Sequence, residues 1–297
     1  MTSQQFLVYD SSTLANFKQW AQAISNFFAA AGWIKASDTG QVDWSTIAAV
    51  PGSNVYVYEV WKPGDALTPF FLKVEYGNMG ANAPNVRLTI SNTTNGAGTP
   101  TGTSISQPCS TFGQPLPALV GYECNFSGDS SRMGAMLWRD SPNFNQQFFA
   151  IERSINASGA YTGTYVTLYV CASVSNAGTF GAWQQTFVFA AGSVPVASND
   201  GPRTASSGFF ALVHNTVNAS TSAFNNSIPF DTAAPALGYF DYPGTVVGVA
   251  RAADFAEGVT FGVSLYGAAR TYMPSKNGPF ANTGMNTASG ALCMRFD

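Results

Sequence analysis

Charge is what this sequence has least of. Thirteen Lys and Arg together with sixteen Asp and Glu make up only 10% of the 297 residues, against roughly 25% in an ordinary soluble domain. A net charge of −3 leaves no basic field to hold a phosphate backbone, so nucleic acid is not expected as a partner. An anionic membrane surface is disfavoured for the same reason. The single histidine, His214, excludes a His-based zinc triad. Its alternating apolar context, Phe209 to Asn215, reads as a structural histidine at a strand end rather than a general base. Cys109, Cys124, Cys171 and Cys293 stand far apart with no CxxC pair, which argues against a zinc ribbon or a thioredoxin-like site and for buried free thiols. No metal or other cofactor is expected. No apolar run approaches the roughly 20 residues a bilayer demands, so membrane insertion is not expected. Residues Met1 to Gln5 lack the basic and apolar regions of a secretory signal. The expectation is a chain made in a cytosol, with Asn92, Asn125, Asn156, Asn218 and Asn225 as chance glycosylation sequons.

Apolar and aromatic residues are abundant, at 45% and 14% of the chain, enough to offset the ordering entropy of a folded body. With so few charges, the surface has to be built from Ser, Thr, Asn, Gln and Gly.

One segment has a helical period. Leu14, Phe17, Ala21, Ile24, Phe28 and Ala31 recur at three- and four-residue steps with Lys18, Gln22, Ser25 and Asn26 between them. Ser12 or Thr13 can cap its start and Gly32 can end it. Its Phe-rich face, Leu14, Phe17, Ala21, Ile24 and Phe28, has to find a partner surface, either this chain's own sheet or another subunit.

After Gly40 the period falls from 3.6 to 2. Residues 54–61 and 70–76, joined by the turn Lys62-Pro63-Gly64-Asp65, read as paired strands, and 85–90 as a third. Further strands are expected at 147–152, 164–174, 183–190, 207–213, 245–250, 259–266 and 291–296, separated by Gly/Asn/Ser/Pro turn chemistry. The fold class is therefore mainly β, an antiparallel β-sandwich or jelly-roll-like body with one N-terminal amphipathic α-helix. The division expected is a helical docking segment over 1–50 and a β-sandwich body over 51–297, with a second boundary near 191–205. The stretch 96–117 reads as a long exposed loop.

Chemistry is hard to assemble from these residues. Gly128-Asp129-Ser130-Ser131 lacks the G-x-S-x-G elbow and reads as a polar turn. No lysine has a serine three residues before it. Asn95 to Gly102 misses the dinucleotide glycine pattern and reads as a hairpin loop. The acids Glu59, Glu75, Asp129, Glu152, Asp231 and Asp241 could supply a glycosidase pair. Glu59 and Glu75 nonetheless sit among apolar neighbours with Lys73 close by, which favours a cross-strand ion pair. No catalytic residue is assigned, and the chain is expected not to be an enzyme. Trp138, Tyr161 and Tyr242 are the rings best placed on loops to stack on a sugar.

The strings 58–65 (YEVWKPGD), 70–77 (FFLKVEYG) and 87–102 (from RLTI to TNGAGTPTG), with 148–159 (from FFAIERS to ASG) and 263–274 (VSLYGAARTYMP), resemble a region of structural proteins of tailed bacteriophage virions. These pieces span most of the chain. The resemblance implies a non-enzymatic particle component, made in the host bacterial cytoplasm and placed in the virion. Its place would be the tail, baseplate or fibre attachment, or, as the alternative, head decoration. It also implies other virion proteins as partners and a symmetric homo-oligomer, a trimer or ring, with the helix as docking element. A carbohydrate-binding β-sandwich recognising a host-surface glycan is the alternative from another class, and a hydrolase of bacterial polysaccharide the third.

Overall fold

The computed structural model describes residues 2–8, 13–78, 84–109, 122–139, 146–156, 158–173, 180–189, 196–198, 224–226, 245, 247–251, 259–265, 268–274 and 290–297. In chain order the first elements are β1 (Thr2–Val8), α1 (Leu14–Ala30), β2 (Ile34–Lys35), β3 (Tyr56–Lys62), β4 (Phe71–Asn78), β5 (Pro84–Thr94) and β6 (Pro100–Cys109). Then come β7 (Tyr122–Asp129), β8 (Arg132–Arg139), β9 (Gln146–Ile155), β10 (Tyr161–Ser173), β11 (Phe180–Phe189) and β12 (Val196–Ser198). The last are β13 (Phe224–Asn226), β14 (Val247–Arg251), β15 (Phe261–Leu265), β16 (Ala268–Pro274) and β17 (Gly290–Arg295).

The chain is mainly β, antiparallel and sandwich-like, with one helix near the N-terminus among the described residues. The strands form a seven-stranded sheet in the order β1-β7-β8-β9-β10-β11-β12, a five-stranded sheet β2-β3-β4-β5-β6 and a second five-stranded sheet β13-β14-β17-β16-β15. In the first two sheets most strands lie beside their neighbours in sequence, with β2 and β3 joined by the long segment 36–55. The exception is β1, which pairs with β7 from Thr2↔Gly128 to Val8↔Tyr122.

The helix is built as its sequence prescribes. Thr13 holds extended backbone angles and its hydroxyl accepts the N–H of Asn16 at 3.1 Å, satisfying one of the orphan donors of the first turn. Gly32 follows the last turn at φ +90°, a left-handed geometry that suits glycine. Phe17, Ala21, Ile24 and Phe28 are fully buried, as are Trp20 and Phe27, and Leu14 packs against the same core. The rings they meet belong to this chain. Phe27 stacks on Phe126 of β7 at 5.2 Å, and Phe28 lies between Trp33 and Trp61 at 5.2 and 5.4 Å. Leu72, Val74, Tyr76, Val86, Leu88 and Ile90 from the N-terminal sheet, with Met133, Phe149, Ile151, Val166 and Leu168 from the central one, complete the cluster.

Two expectations are corrected by this packing. The residues Leu14, Phe17, Ala21, Ile24 and Phe28 are not a docking face, because the chain's own sheets cover them. A periodic apolar stripe requires burial and does not say against what. Nor do residues 1–50 form a separate segment, since they supply β1 to the central sheet, β2 to the N-terminal sheet and α1 to the core shared by both. The boundary expected near 191–205 falls mostly outside the described residues. Within the stretch 96–117, residues 100–109 are a strand, β6, and not a loop, while 110–117 lie outside the described residues. Asn95 turns the chain there, its Oδ1 accepting the N–H groups of Ala97 and Thr99 at 2.8 and 3.1 Å.

Phe28→Ala is expected to lower stability by about 3–5 kcal/mol, the usual cost of truncating a buried Phe, and to leave the oligomeric state of the folded fraction unchanged. Urea unfolding followed by tryptophan emission, with sedimentation at low urea, measures both.

Candidate functional site

Charged residues are few, and the structure buries several of the most connected ones. Successive side chains on a strand face opposite sides of the sheet. In β9 this sends Arg153 toward the N-terminal sheet and Glu152 toward the C-terminal one. Both are fully buried.

On the first side, the turn after β3 carries Asp65 inward. Gly64 donates its N–H to the Ser130 carbonyl at 3.1 Å and lies so close to Gly32 that a Cβ would meet the Gly32 oxygen at 1.9 Å. Glycine is thus required for the approach. Asp65 then receives Arg153 bidentately, Nε at 2.6 Å and Nη2 at 2.8 Å, and the Ser131 hydroxyl at 2.6 Å. The guanidinium also stands 5.1 Å from the centre of the Phe70 ring, within cation–π range.

On the second side, Glu152 accepts the N–H of Thr245 at 2.5 Å, its hydroxyl at 3.2 Å and the Tyr161 hydroxyl at 3.1 Å. Arg132, the cross-strand neighbour of Glu152, donates Nε to Asp129 at 3.2 Å, Nη1 to the Ser127 hydroxyl at 3.3 Å and Nη2 to the Asp297 carbonyl oxygen. Arg295 of β17 grips the Asp297 carboxylate with Nε at 2.7 Å and Nη2 at 3.3 Å and gives Nη1 to the Thr245 hydroxyl at 2.9 Å. The Tyr272 hydroxyl donates to the Thr245 carbonyl. Burial, reinforced by the Glu152 charge, pushes the hydroxyls of Tyr161 and Tyr272 far above the ordinary tyrosine range. Burial is the largest single influence and opposes the charge of Arg295 and of Asp297, but their mutual hydrogen bonds and the surrounding opposite charges together outweigh it, holding the guanidinium more firmly protonated and the carboxyl below its usual value.

Beside this second cluster opens a cleft of about 220 Å³. Ser158 and Gly159 of the turn 156–160 form one wall, held by Asn156 Oδ1, which accepts the N–H groups of Ser158 and Ala160 and the Ser158 hydroxyl at 3.0, 3.0 and 2.7 Å. Gly159 completes the turn at φ +80°. Tyr161, Thr245, Arg295 and Arg270 of β16 line the rest of it.

A third buried charge lies on the N-terminal sheet. Glu59 of β3, 1% exposed, accepts five donors. Its Oε1 takes Ser25 Oγ, Lys35 Nζ and Trp44 Nε1 at 3.0, 2.9 and 3.0 Å. Its Oε2 takes Trp61 Nε1 and Tyr76 OH at 3.3 and 3.1 Å. The donors come from α1, β2, β3, β4 and the segment between β2 and β3, so this carboxylate pins the helix to its sheet. Glu75 pairs with Lys73 at 3.0 Å along one strand, not across two, because residues two apart share a face. Glu59 finds its cation in Lys35 instead.

Of the sugar-stacking rings expected, Tyr161 lies at the cleft, but its hydroxyl is turned inward to Glu152, so it offers at most its ring. Trp138 sits in β8 opposite Gln146 and Glu123. Its side chain, and the whole of Tyr242, lie outside the described residues, as do His214, Asp231 and Asp241. Asp129 and Glu152 do come to one region, yet each is occupied by three donors that hold strands and turns in place. Cys124 and Cys293 are buried free thiols. The sequence reading missed Arg270, Arg295, Thr245 and Asp297. The signal it passed over was the Glu152-Arg153 pair directly after the apolar run Phe148 to Ile151 of a charge-poor chain.

Two measurements check this wiring. Asp65→Asn is expected to cost about 3–5 kcal/mol in urea unfolding, because it leaves Arg153 buried without its anion, whereas Asp65→Leu combined with Arg153→Met recovers most of the loss. Tyr76, Tyr161 and Tyr272 all have raised values in the fold, so the stability they confer is complete below the unfolded tyrosine value of about 10. It falls as pH rises beyond that, because the unfolded chain releases protons the folded one retains. An absorbance titration should show these hydroxyls ionising only together with unfolding. Compared with known proteins, the chain matches no protein-family model and no curated protein sequence.

Proposed function

We propose that this chain is a non-enzymatic structural component of a tailed bacteriophage virion, placed at the tail, baseplate or fibre attachment and assembling there as symmetric copies against other virion proteins. The observation that carries this reading is the surface. Among the described residues that are exposed, only Lys35 and Asp43 bear a charge. The rest are Gly, Ala, Ser, Thr, Asn, Gln and Pro, with Ile34, Val55 and Val259 as exposed apolar side chains. A charged surface resists association because each ion must be stripped of water, and protein interfaces are depleted of Lys, Glu and Asp at their centres. A surface of small neutral polar groups carries no such penalty. It suits a protein surrounded by neighbours. The resemblance to virion proteins supports the same reading, since its strings fall on β3, β4, β5, β9, β15 and β16, the framework of all three sheets.

With the helix engaged in the chain's own core, docking falls to strand edges and turns. Head decoration remains the alternative position for the same kind of surface. Gold-labelled antibody against the purified chain, viewed on phage particles, tests the assignment. Label at the tail end is the expected result, label over the head moves the chain to decoration, and no label on any particle refutes a virion role. In solution the chain is expected to sediment as a trimer or larger ring at high concentration.

A further inference from the structure

The cleft beside the second ionic cluster has one group that the fold does not use. Arg295 and Arg132 have their guanidinium hydrogens directed to Asp297, Thr245, Asp129 and Ser127. Arg270 differs. Its Nε is buried and has no hydrogen-bond partner among the described residues, and its ion pair to Asp297, Nη1 to Oδ2, is 3.7 Å long, too far for a hydrogen bond. That carboxylate is already gripped by Arg295 at 2.7 Å. A guanidinium presents donors in a planar fork matched to a carboxylate and has no acceptor of its own, so the missing partner must bring oxygen acceptors and negative charge.

The rest of the wall says what else that partner carries. Asp129 already accepts from the N–H groups of Ser131 and Arg132 and from Arg132 Nε, so the acid in the wall is engaged. Ile155, Ala268 and the ring of Tyr161 supply apolar surface beside these polar groups. A space of about 220 Å³ is smaller than the roughly 300–1,000 Å³ of sites for drug-sized ligands. It admits a single ring-sized unit. An apolar patch with an aromatic ring, a tight turn and a guanidinium held only by a 3.7 Å pair to Asp297 match a pyranose that bears an acid group.

We propose that the cleft between the turn 156–160 and β16 binds the carboxylate of an acidic sugar, with Arg270 as the carboxylate fork and Tyr161 as the ring platform. The site is independent of the virion reading and stands or falls by its own ligand. The test is calorimetric titration of the full chain with glucuronic acid and with N-acetylneuraminic acid. Glucose, the methyl ester of glucuronic acid, inorganic phosphate, acetate and an Asp-rich peptide are run beside them. At least one acidic sugar is expected to bind, and its neutral counterpart, tested as glucose or the ester, at least tenfold more weakly. Arg270→Gln is expected to weaken binding tenfold or more at unchanged melting temperature, with Arg270→Lys between the two. The ester comparison removes the charge from the ligand instead of the protein, so it decides the matter even if a variant folds poorly. Binding of phosphate or acetate as tight as that of the sugar means an adventitious ion only and overturns the proposal. So do equal binding of glucose, preference for the acidic peptide, or an Arg270→Gln protein that binds as before.

Discussion

Neighbouring side chains on a β-strand point to opposite faces, and in β9 the two neighbours are Glu152 and Arg153. The architecture hangs on that pair. Arg153 reaches Asp65 in the turn after β3 and binds the N-terminal sheet to the central one, while Glu152 reaches Thr245 and Tyr161 and binds the C-terminal sheet to the other face. A buried charge left alone in a protein interior costs several kcal/mol, so each of these groups tolerates only the arrangement that supplies its partner. Apolar packing alone would let sheets slide over one another with little change in buried area. The ions fix the register of one layer on the next.

Glu59 plays the same part at the helix. An apolar stripe on α1 can be buried at several rotations and offsets, but only one brings Ser25 to a carboxylate that also receives Lys35, Trp44, Trp61 and Tyr76. The indole and phenol groups in turn need an acceptor wherever they are buried. One acid thereby satisfies three aromatic donors and lets Trp44, Trp61 and Tyr76 join a tightly ringed core. The scarcity of charge in the chain and its use as an internal tie are two aspects of one design, because ions engaged in the interior are withheld from the surface.

What could be read from the sequence was local. Thr13 and Gly32 bound the helix because capping depends on residues a few positions away. The hairpin of β3 with β4 and the turn at Gly128 to Ser131 follow from turn chemistry, with Asp129 Oδ1 accepting from Ser131 and Arg132 as a polar turn requires. Strands β3, β4, β5, β9, β10 and β11 showed themselves by β-branched and aromatic residues. What could not be read was distant. Strand β1 is a strand because β7 offers it an edge more than a hundred positions along the chain, and nothing in Thr2 to Val8 announces that. Strands β6 and β7 hide behind Ser, Thr, Gly and Asn, which reflect turn propensity in isolation and tolerate a sheet when a neighbouring strand is in place. The candidate site was the least legible part. Its residues come from β7, β10, β16, β17 and the segment at Thr245, and only the stacking of two sheets brings them together.

That origin also separates binding from folding at the cleft. Where a buried cation is fully engaged, as Arg132 and Arg295 are, an incoming anion has to break bonds that hold layers together. Arg270 sits on β16 between β15 and β17, with its backbone held by strand pairing and its side chain still about a quarter exposed. An anion meeting it displaces water and competes only with a long contact to Asp297, whose charge is already balanced by Arg295. Arg270 is therefore a cation of the described framework that can take a partner from outside the chain, and it lines the cleft. A site of this size buries little ligand area, so it discriminates by charge and shape, and any ordering already present in its walls lowers the cost of association.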